Sequence, residues 1–372
     1  MDTSLFTLLV YFMVSSSLVI AQTYTEGLVT ALNAANLTTL ASLAQNNTNF
    51  VTLLENGGNK TLLAPTDEAL VVVADASASL LEATLQYHIL NGTVRESGIN
   101  GEKNYIASTF LTLQEYVSLP DGRSQAIVLR KANGDGNIPY VAGASRNSTF
   151  ANSTDGSTYE NVLIQPIDAV AFIPSNLSST LTAINATTFF QATNLTSQLA
   201  ALSSSRDGLT IFVPTNEAMD AAGAQIVSAS ESERANVLAN HVLNGTLVYS
   251  TQLQGSGAMA SAVSSSGNVL SFSSQNNNLE VTSGNATARI TRADILVSNA
   301  VIHIINTVLF NTSSNPEAAA SAFQSATGKP APSATRAASA ENAAAITHVH
   351  VFGVAAAVAA ALIGAAAVLP HP

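Results

Sequence analysis

The sequence predicts an α+β fold built from two tandem modules. A block of apolar residues, proline and a helix-capping threonine occurs twice, about 150 residues apart. Each copy begins with helical periodicity and ends in runs of β-branched residues, and helices followed by strands indicate an α+β module. The length of 372 residues leaves enough chain for two such cores.

Two matched blocks define the repeat. Thr61–Leu70 returns as Thr210–Met219, and Leu85–Val94 returns as Leu238–Leu247. Two matches in the same order, at a domain-sized period, indicate a tandem duplication rather than a solenoid. The predicted boundary lies near residues 174–176.

Helical periodicity opens each copy, at residues 28–43 and 177–202. The first block then predicts a buried strand that ends at Pro65, with Thr66 as the N-cap of a short helix and Asp67 in its first turn. The corresponding residues of the second copy are Pro214, Thr215 and Asn216.

The second block predicts a helix that contains a histidine and stops at an Asn-Gly-Thr turn; the histidines are His88 and His241. Residues 270–273 and 279–282 alternate and predict a hairpin. Residues 288–290, 295–297 and 299–309 predict buried strands, the last of which includes Asn299 and His303. In the first copy, the closing block 161–170 has Gln165 at the position of His303. Residues 134–159 predict a long loop.

Composition excludes several functional classes. The chain has no cysteine, which removes disulfides, thiol catalysis and cysteine-ligated metals. Its formal net charge is -11, so it has no basic surface that could neutralise a nucleic-acid backbone. We therefore expect no cofactor and no nucleic-acid partner.

Candidate catalytic groups are few. His88, His241 and His303 each lie in an apolar run, which favours hydrogen-bonded core histidines over a catalytic or metal-binding role. The modules contain no nucleophile elbow, zinc-protease motif or phosphate loop. The sequence predicts no catalytic residue and no metal site, and hence a protein that is not an enzyme.

The two ends of the chain predict targeting signals rather than parts of the folded domains. Residues 1–21 resemble a signal peptide, with Gln22 as the first mature residue; a membrane anchor is the alternative. Residues 349–372 form an apolar tail without following positive charge, which is typical of a glycosylphosphatidylinositol (GPI) signal. Asn342 is the candidate attachment residue, with Ala338 as its rival. Residues 312–348 are rich in Ala, Ser, Thr and Pro and predict an extended stalk.

Potential N-glycosylation sites occur throughout the two modules. The candidate asparagines are Asn36, Asn46, Asn59, Asn91, Asn147, Asn152, Asn176, Asn185, Asn194, Asn244, Asn285 and Asn311. Glycans must face water, so a buried site would not be used.

These blocks together resemble the fasciclin (FAS1) domain. The resemblance rests on the Pro-Thr-(Asp/Asn)-Glu-Ala corner, the histidine block and the closing run from Asn299 to Leu309. It covers residues 24–174 and 176–311, so the predicted domains are 22–175 and 176–311. It implies a wedge of strands decorated by helices. Of the Tyr-His pair that some animal members use for receptor contact, only Tyr87-His88 is present, because Asn240 stands in the second copy.

The resemblance implies adhesion or contact with cell wall or matrix, without catalysis. The expected protein is secreted and GPI-anchored, with cell-surface or wall proteins and glycans, or copies of itself, as partners. A structural wall glycoprotein and a carbohydrate-binding module remain alternatives. Convergence of aromatic residues and carboxylates in a cleft would favour the carbohydrate-binding alternative, whereas scattered Tyr105, Tyr116 and Tyr140 would weaken it.

Overall fold

A computed structural model describes residues 23–99, 101–131, 138–151, 156–195, 198–255, 257–275 and 278–329. The chain folds as two compact units, which meet in sequence between Ile173 and Pro174; Gln114–Arg123 is assigned to the second unit. We call these units the first and second modules. The predicted signal peptide, GPI tail, Asn342, Asn152 and stalk residues 330–348 lie outside the described residues.

The first module begins with helices and continues with strands. Its helices are α1 (23–34), α2 (Thr38–Asn46), α3 (Thr48–Glu55), α4 (Asp67–Leu70) and α5 (Ala78–Tyr87). Its strands are β1 (Lys60–Pro65), β2 (Ile89–Asn91), β3 (Tyr105–Ser108), β4 (Ala126–Lys131), β5 (Pro139–Val141), β6 (Ser148–Thr149), β7 (Ser157–Tyr159) and β8 (Val162–Ile167).

The second module repeats this order. Its helices are α6 (Leu177–Ala183), α7 (Thr187–Leu195), α8 (Gln198–Ser204), α9 (Asn216–Ala221), α10 (Gly223–Ser228), α11 (Glu231–Ala239) and α12 (Pro316–Thr327). Its strands are β9 (Leu209–Pro214), β10 (Val242–Asn244), β11 (Ser261–Val263), β12 (Val269–Gln275), β13 (Asn278–Ser283), β14 (Ala286–Leu296) and β15 (Ala300–Ile305).

Both modules are built around the same three strands. In the first, β1 pairs antiparallel with β2 and parallel with β8. In the second, β9 pairs antiparallel with β10 and parallel with β15. Every residue of β1, β8 and β9 is buried, as expected for central strands covered on both faces. The shared topology confirms the α+β prediction.

The modules differ at one strand. In the second, the 11-residue β14 joins the central strands to β13, β12 and β11 in a seven-stranded sheet. In the first, β6 and β7 lie in two separate four-stranded sheets, ordered β2-β1-β8-β7 and β3-β4-β5-β6. The prediction of a loop over residues 134–159 is therefore wrong in part, because β5, β6 and β7 lie within it.

Each module has apolar layers on both sides of its central strands. In the first, Leu28, Leu32 and Leu40 of the opening helices pack against Leu62 and Ile164 of β1 and β8. In the second, the other side of the central strands is covered by the hairpin. That cluster contains Phe212, Leu270, Leu279, Val281, Ala288 and Ile290. The central strands therefore lie between a helical layer and a strand layer.

The prediction of an extended stalk from residue 312 is wrong for its first part, because α12 folds back onto the second module. Phe323 is 6% exposed. A Cβ atom at Gly245 would lie 2.6 Å from Thr327 Cγ2, so only glycine allows the helix to pack this closely. Asn236 Nδ2 donates to the Thr312 carbonyl over 2.9 Å. Phe323 is the one large apolar residue of this alanine-rich helix. The hydrophobic periodicity was therefore too weak to predict that the segment packs on the module as a helix.

Ending the chain at Asn311 rather than Lys329 is expected to destabilise the second module by about 2–4 kcal/mol, because Phe323 and the bonds that fix residues 312–315 are lost. Thermal unfolding of the two truncated chains measures the difference. Equal melting temperatures would show that α12 contributes no stability.

Candidate functional site

The repeated corner lies where β1 and β9 turn into short helices. Thr66 Oγ1 accepts the Ala69 N–H over 3.3 Å, and Thr215 Oγ1 accepts the Ala218 N–H over 3.2 Å. The structure thus places both threonines at the N-caps that the sequence predicts, directly after Pro65 and Pro214.

The residue after each cap has a second role that the sequence did not reveal. Asp67 accepts hydrogen bonds from Thr38 Oγ1 at 2.6 Å and from the Thr39 N–H at 2.8 Å, at the start of α2. These bonds, chiefly that of the Thr38 hydroxyl, lower the pKa of Asp67. In the second module, Asn216 accepts the Thr188 N–H and donates to the Asn185 carbonyl. The corner therefore fixes an earlier helix as well as its own.

Substituting Thr215 by alanine is expected to destabilise the second module by about 1 kcal/mol, because the Ala218 N–H loses its acceptor. Thr215→Ser retains the hydroxyl and is the matched control. Chemical denaturation compares the variants, and an alanine variant as stable as the wild type would contradict the capping role.

Each of the two repeated histidines joins a helix to the last segment of its module through two hydrogen bonds. We call this arrangement the histidine clip. His88 Nδ1 bonds to the Thr84 carbonyl at 2.7 Å, and its Nε2 accepts the Ala171 N–H at 3.0 Å. His241 repeats the pattern with the Val237 carbonyl at 2.7 Å and the Leu309 N–H at 3.0 Å. Both rings must therefore be neutral, with the proton on Nδ1. Burial lowers the pKa of both His88 and His241 to about 4.

His303 has no free nitrogen either. Its Nε2 donates to the Val248 carbonyl at 2.8 Å, and its Nδ1 accepts the Asp294 N–H at 3.4 Å. The ring stacks on Phe212, with centroids 5.5 Å apart. The buried Asp294 carboxylate in turn accepts the Ser250 hydroxyl and the Ser250 N–H. A serine, a histidine and an aspartate therefore lie close together. His303 cannot act as a base toward Ser250, because its two ring nitrogens bond to Val248 and Asp294 and neither bonds to Ser250.

Asp294 is a site that sequence reasoning missed. Its φ of 61° is in the left-handed region, and the pairing of β14 with β15 shifts register between Arg292 and Ile295. This bulge turns the carboxylate toward the 3-10 turn Ser250–Leu253. The sequence did not predict the bulge, because Thr291–Asp294 separates two predicted strand segments, whereas the structure has one strand with a shift in register.

The position of the Tyr-His pair is not accessible to a binding partner in either module. Tyr87 is 3% exposed. Asn240, its counterpart, is fully buried; its amide donates to Ser283 Oγ and the Leu309 carbonyl, and its oxygen accepts bonds from Ser264 and Ser266. Both residues therefore belong to the core, and Asn240 helps to fix the segment that leads to α12.

The asparagine that opens each closing block ties that block to the helices. Asn299 Nδ2 donates to the Leu202 carbonyl at 2.8 Å and the Ser205 carbonyl at 3.0 Å. Asn161 makes the equivalent bond to the Leu54 carbonyl at 2.9 Å. The repeated asparagines therefore satisfy carbonyls at the ends of helices that precede β9 and β1.

The first module lacks the bonds that His303 makes. Gln165 faces Leu63 across the parallel pair, as His303 faces Phe212. The Gln165 side chain is fully buried, and among the described residues neither of its amide atoms has a hydrogen-bond partner. A buried amide without partners costs stability.

The three tyrosines named above do not converge. Tyr105 pairs with Leu129 and Tyr140 with Arg130, so they lie on opposite faces of one sheet, while Tyr116 belongs to the segment assigned to the second module. Within the described ranges, no cluster of histidine, aspartate and glutamate could hold a metal ion. None of the helices described there is long and apolar enough to cross a bilayer.

Comparison with known proteins agrees with this repeated architecture. The model of the fasciclin domain matches the chain twice, at residues 35–128 and 183–311. The chain belongs to the fasciclin family. The corner, the histidine clip and the closing asparagine are therefore features that its two fasciclin modules share.

Two other proteins are similar to the chain. A fasciclin-like arabinogalactan protein of Arthroderma benhamiae is 24% identical over 239 residues, which make up 63% of this chain and 52% of that protein. The chain thus spans about half the length of this relative. The solved FAS1 domain pair from the insect cell adhesion molecule fasciclin I shares 15% identity and has a TM-score of 0.36, covering 72% of this chain and 94% of that one.

Proposed function

We propose that this chain is a secreted surface protein, held outside the cell by a lipid anchor, that contacts cell-wall, matrix or neighbouring cell components through its two fasciclin modules. The observation that carries this proposal is the twofold match to the fasciclin domain, a family that includes an insect cell adhesion molecule. A protein of this kind acts by binding and not by catalysis. The ring nitrogens of His88, His241 and His303 are all used within the fold, which supports a binding role.

The candidate glycosylation sites support a secreted location. Of the asparagines on which the structure reports, Asn244 and Asn311 are half-buried. The other described candidates, Asn36, Asn46, Asn59, Asn91, Asn147, Asn176, Asn185, Asn194 and Asn285, are exposed. The exposed sites could therefore accept a glycan that faces water.

The apolar chain ends complete the proposal. Residues 1–21 would direct secretion and residues 349–372 would be exchanged for a lipid near Asn342. Because α12 extends the second module to Thr327, the proposed stalk would comprise residues 330–348 and hold the modules away from the membrane.

A structural wall glycoprotein is the second candidate, favoured by the number of exposed glycosylation sites. In that case the glycans, and not a protein surface, would make the contacts. The two candidates make different predictions for a deglycosylated protein. Contact should survive removal of the sugar if the modules bind surfaces directly, and it should be lost if the glycans make the contacts.

Phosphatidylinositol-specific phospholipase C applied to intact cells tests the location. The proposal predicts that the full-length protein is released into the medium and that N-glycosidase then lowers its apparent mass. Retention in the membrane after phospholipase, together with extraction by detergent, would indicate an uncleaved helix and contradict the lipid anchor.

A further inference from the structure

The same turn is open in the first module and covered in the second. It contains Asn91-Gly92-Thr93 after the start of β2 and Asn244-Gly245-Thr246 after the start of β10, and each is a candidate glycosylation site. In both, the glycine has a positive φ and its N–H donates over 2.9 Å to the carbonyl of the residue before the central strand. A Cβ atom at Gly92 would meet nothing within 4 Å, whereas one at Gly245 would lie 2.6 Å from Thr327 Cγ2. The two turns therefore differ in the presence of α12.

The asparagine of the covered turn is also less accessible. Asn91 is exposed, whereas Asn244 is half-buried. Asn311, the other half-buried candidate, lies in the segment that leads into α12, and its Nδ2 donates to Ser283 Oγ at 3.3 Å. A glycan is attached through this nitrogen and is much larger than the side chain that carries it. Both half-buried candidates on which the structure reports are thus next to α12 or to the segment that positions it.

Few interactions hold α12 on the second module. Phe323 is its one buried side chain among the residues that the structure describes there. The Asn315 N–H, before the helix, donates to the Ser266 carbonyl at 2.7 Å. Lys329, after the helix, forms a surface ion pair with Asp207 at 2.6 Å, and such pairs contribute little to stability. Because a helix of this length is marginal in water by itself, α12 needs its contact with the module in order to stay helical.

The order of synthesis gives a glycan access to this turn before the helix can cover it. Glycans are transferred to asparagine while the chain enters the secretory compartment. At about 5–20 residues per second, Asn244 is made several seconds before the end of α12. The turn is therefore open to the transferase while α12 is still incomplete, and a sugar attached at that stage remains when the helix arrives.

We propose that Asn244 accepts a glycan and that this glycan and docked α12 exclude each other. The sugar occupies the space beside Gly245 that Thr327 and Phe323 fill in the docked helix. In glycosylated molecules, residues 312–329 then leave the second module and lengthen the proposed tether by up to about 60 Å. Modification of one asparagine thereby sets how far the modules stand from the membrane. This inference rests on the proposed function only for passage of the chain through a glycosylating compartment.

Hydrogen exchange on the full-length protein, purified from secreting eukaryotic cells, tests the proposal. Mass spectrometry of the same samples gives the glycan occupancy of Asn91 and Asn244. All chains carry Ser313→Ala, which keeps Asn311 unmodified. In molecules with a glycan on Asn244, the amides of α12 are expected to exchange at least about thirtyfold faster than in Thr246→Val, which removes the glycosylation site. Thr93→Val, the matched control that removes the glycan of the first module, is expected to leave the exchange of α12 unchanged.

Three outcomes would overturn the proposal: no glycan on Asn244, a glycan on Asn244 with α12 as protected as in Thr246→Val, or an unprotected α12 in Thr246→Val itself. Asn244→Gln removes the same glycan by a different substitution and should protect α12 equally, which separates loss of the sugar from an effect of valine. The occupancy of Asn91 separates this inference from the proposed function. A glycan on Asn91 with a negative result at Asn244 refutes only the inference, whereas absence of sugar from both also contradicts secretion.

Discussion

Lowering the pH from 7 to 4.5 is expected to destabilise each module by about 2 kcal/mol, because each contains a buried histidine that must stay neutral. Burial lowers the pKa of His88 and His241 to about 4 in the folded state, against about 6.5 in the unfolded chain. Below pH 6.5 each of these histidines therefore binds a proton in the unfolded chain, whereas in the folded module it stays neutral until the pH approaches 4. This contribution to stability is complete above pH 6.5, is lost progressively down to pH 4, and then stays constant.

Differential scanning calorimetry of the full-length protein measures this effect, with an expected fall of about 4–8 °C in melting temperature. His241→Leu lowers the stability of the second module at pH 7, because the Leu309 N–H loses its acceptor. Its melting temperature should then depend much less on pH between 6.5 and 4.5. The first module, with His88 intact, is the internal control; an unaltered pH dependence of the second module would contradict the clip.

Gln165→Leu is expected to stabilise the first module by about 1–3 kcal/mol, although it removes a polar group from a natural protein. The amide of Gln165 is buried and has no hydrogen-bond partner among the described residues, whereas a leucine side chain has no polar atoms to desolvate. Leucine is similar in size and fits the apolar surroundings of Leu63 and Leu163.

His303→Leu is the matched substitution in the second module and should have the opposite sign. It leaves the Val248 carbonyl and the Asp294 N–H without partners and is expected to cost about 3 kcal/mol. Urea denaturation followed by hydrogen exchange on peptides of each module assigns the change to the correct one. A destabilised Gln165→Leu protein would show that the amide is satisfied in solution.

Local features of the fold could be predicted from the sequence because they depend on neighbouring residues. The N-caps at Thr66 and Thr215 follow from a proline-terminated apolar run. The hairpin of β12 and β13 follows from the alternation at residues 270–273 and 279–282. The core position of the histidines follows from the apolar residues that flank them, as in Ile302-His303-Ile304.

Features that join distant residues could not be predicted. Asp67 bonds to Thr38, 29 residues earlier, and a single sequence does not show which helix end a carboxylate will reach. The packing of α12 depends on the space above Gly245, which only the folded module defines.

Adhesion of cells that display the full-length chain, measured before and after enzymatic removal of N-glycans, tests the central claim most directly. If the two fasciclin modules make the contacts themselves, cells should still adhere to each other or to wall-coated surfaces after deglycosylation. Loss of all adhesion on removal of the sugar, with the modules still folded by calorimetry, would contradict that claim and favour a glycan scaffold.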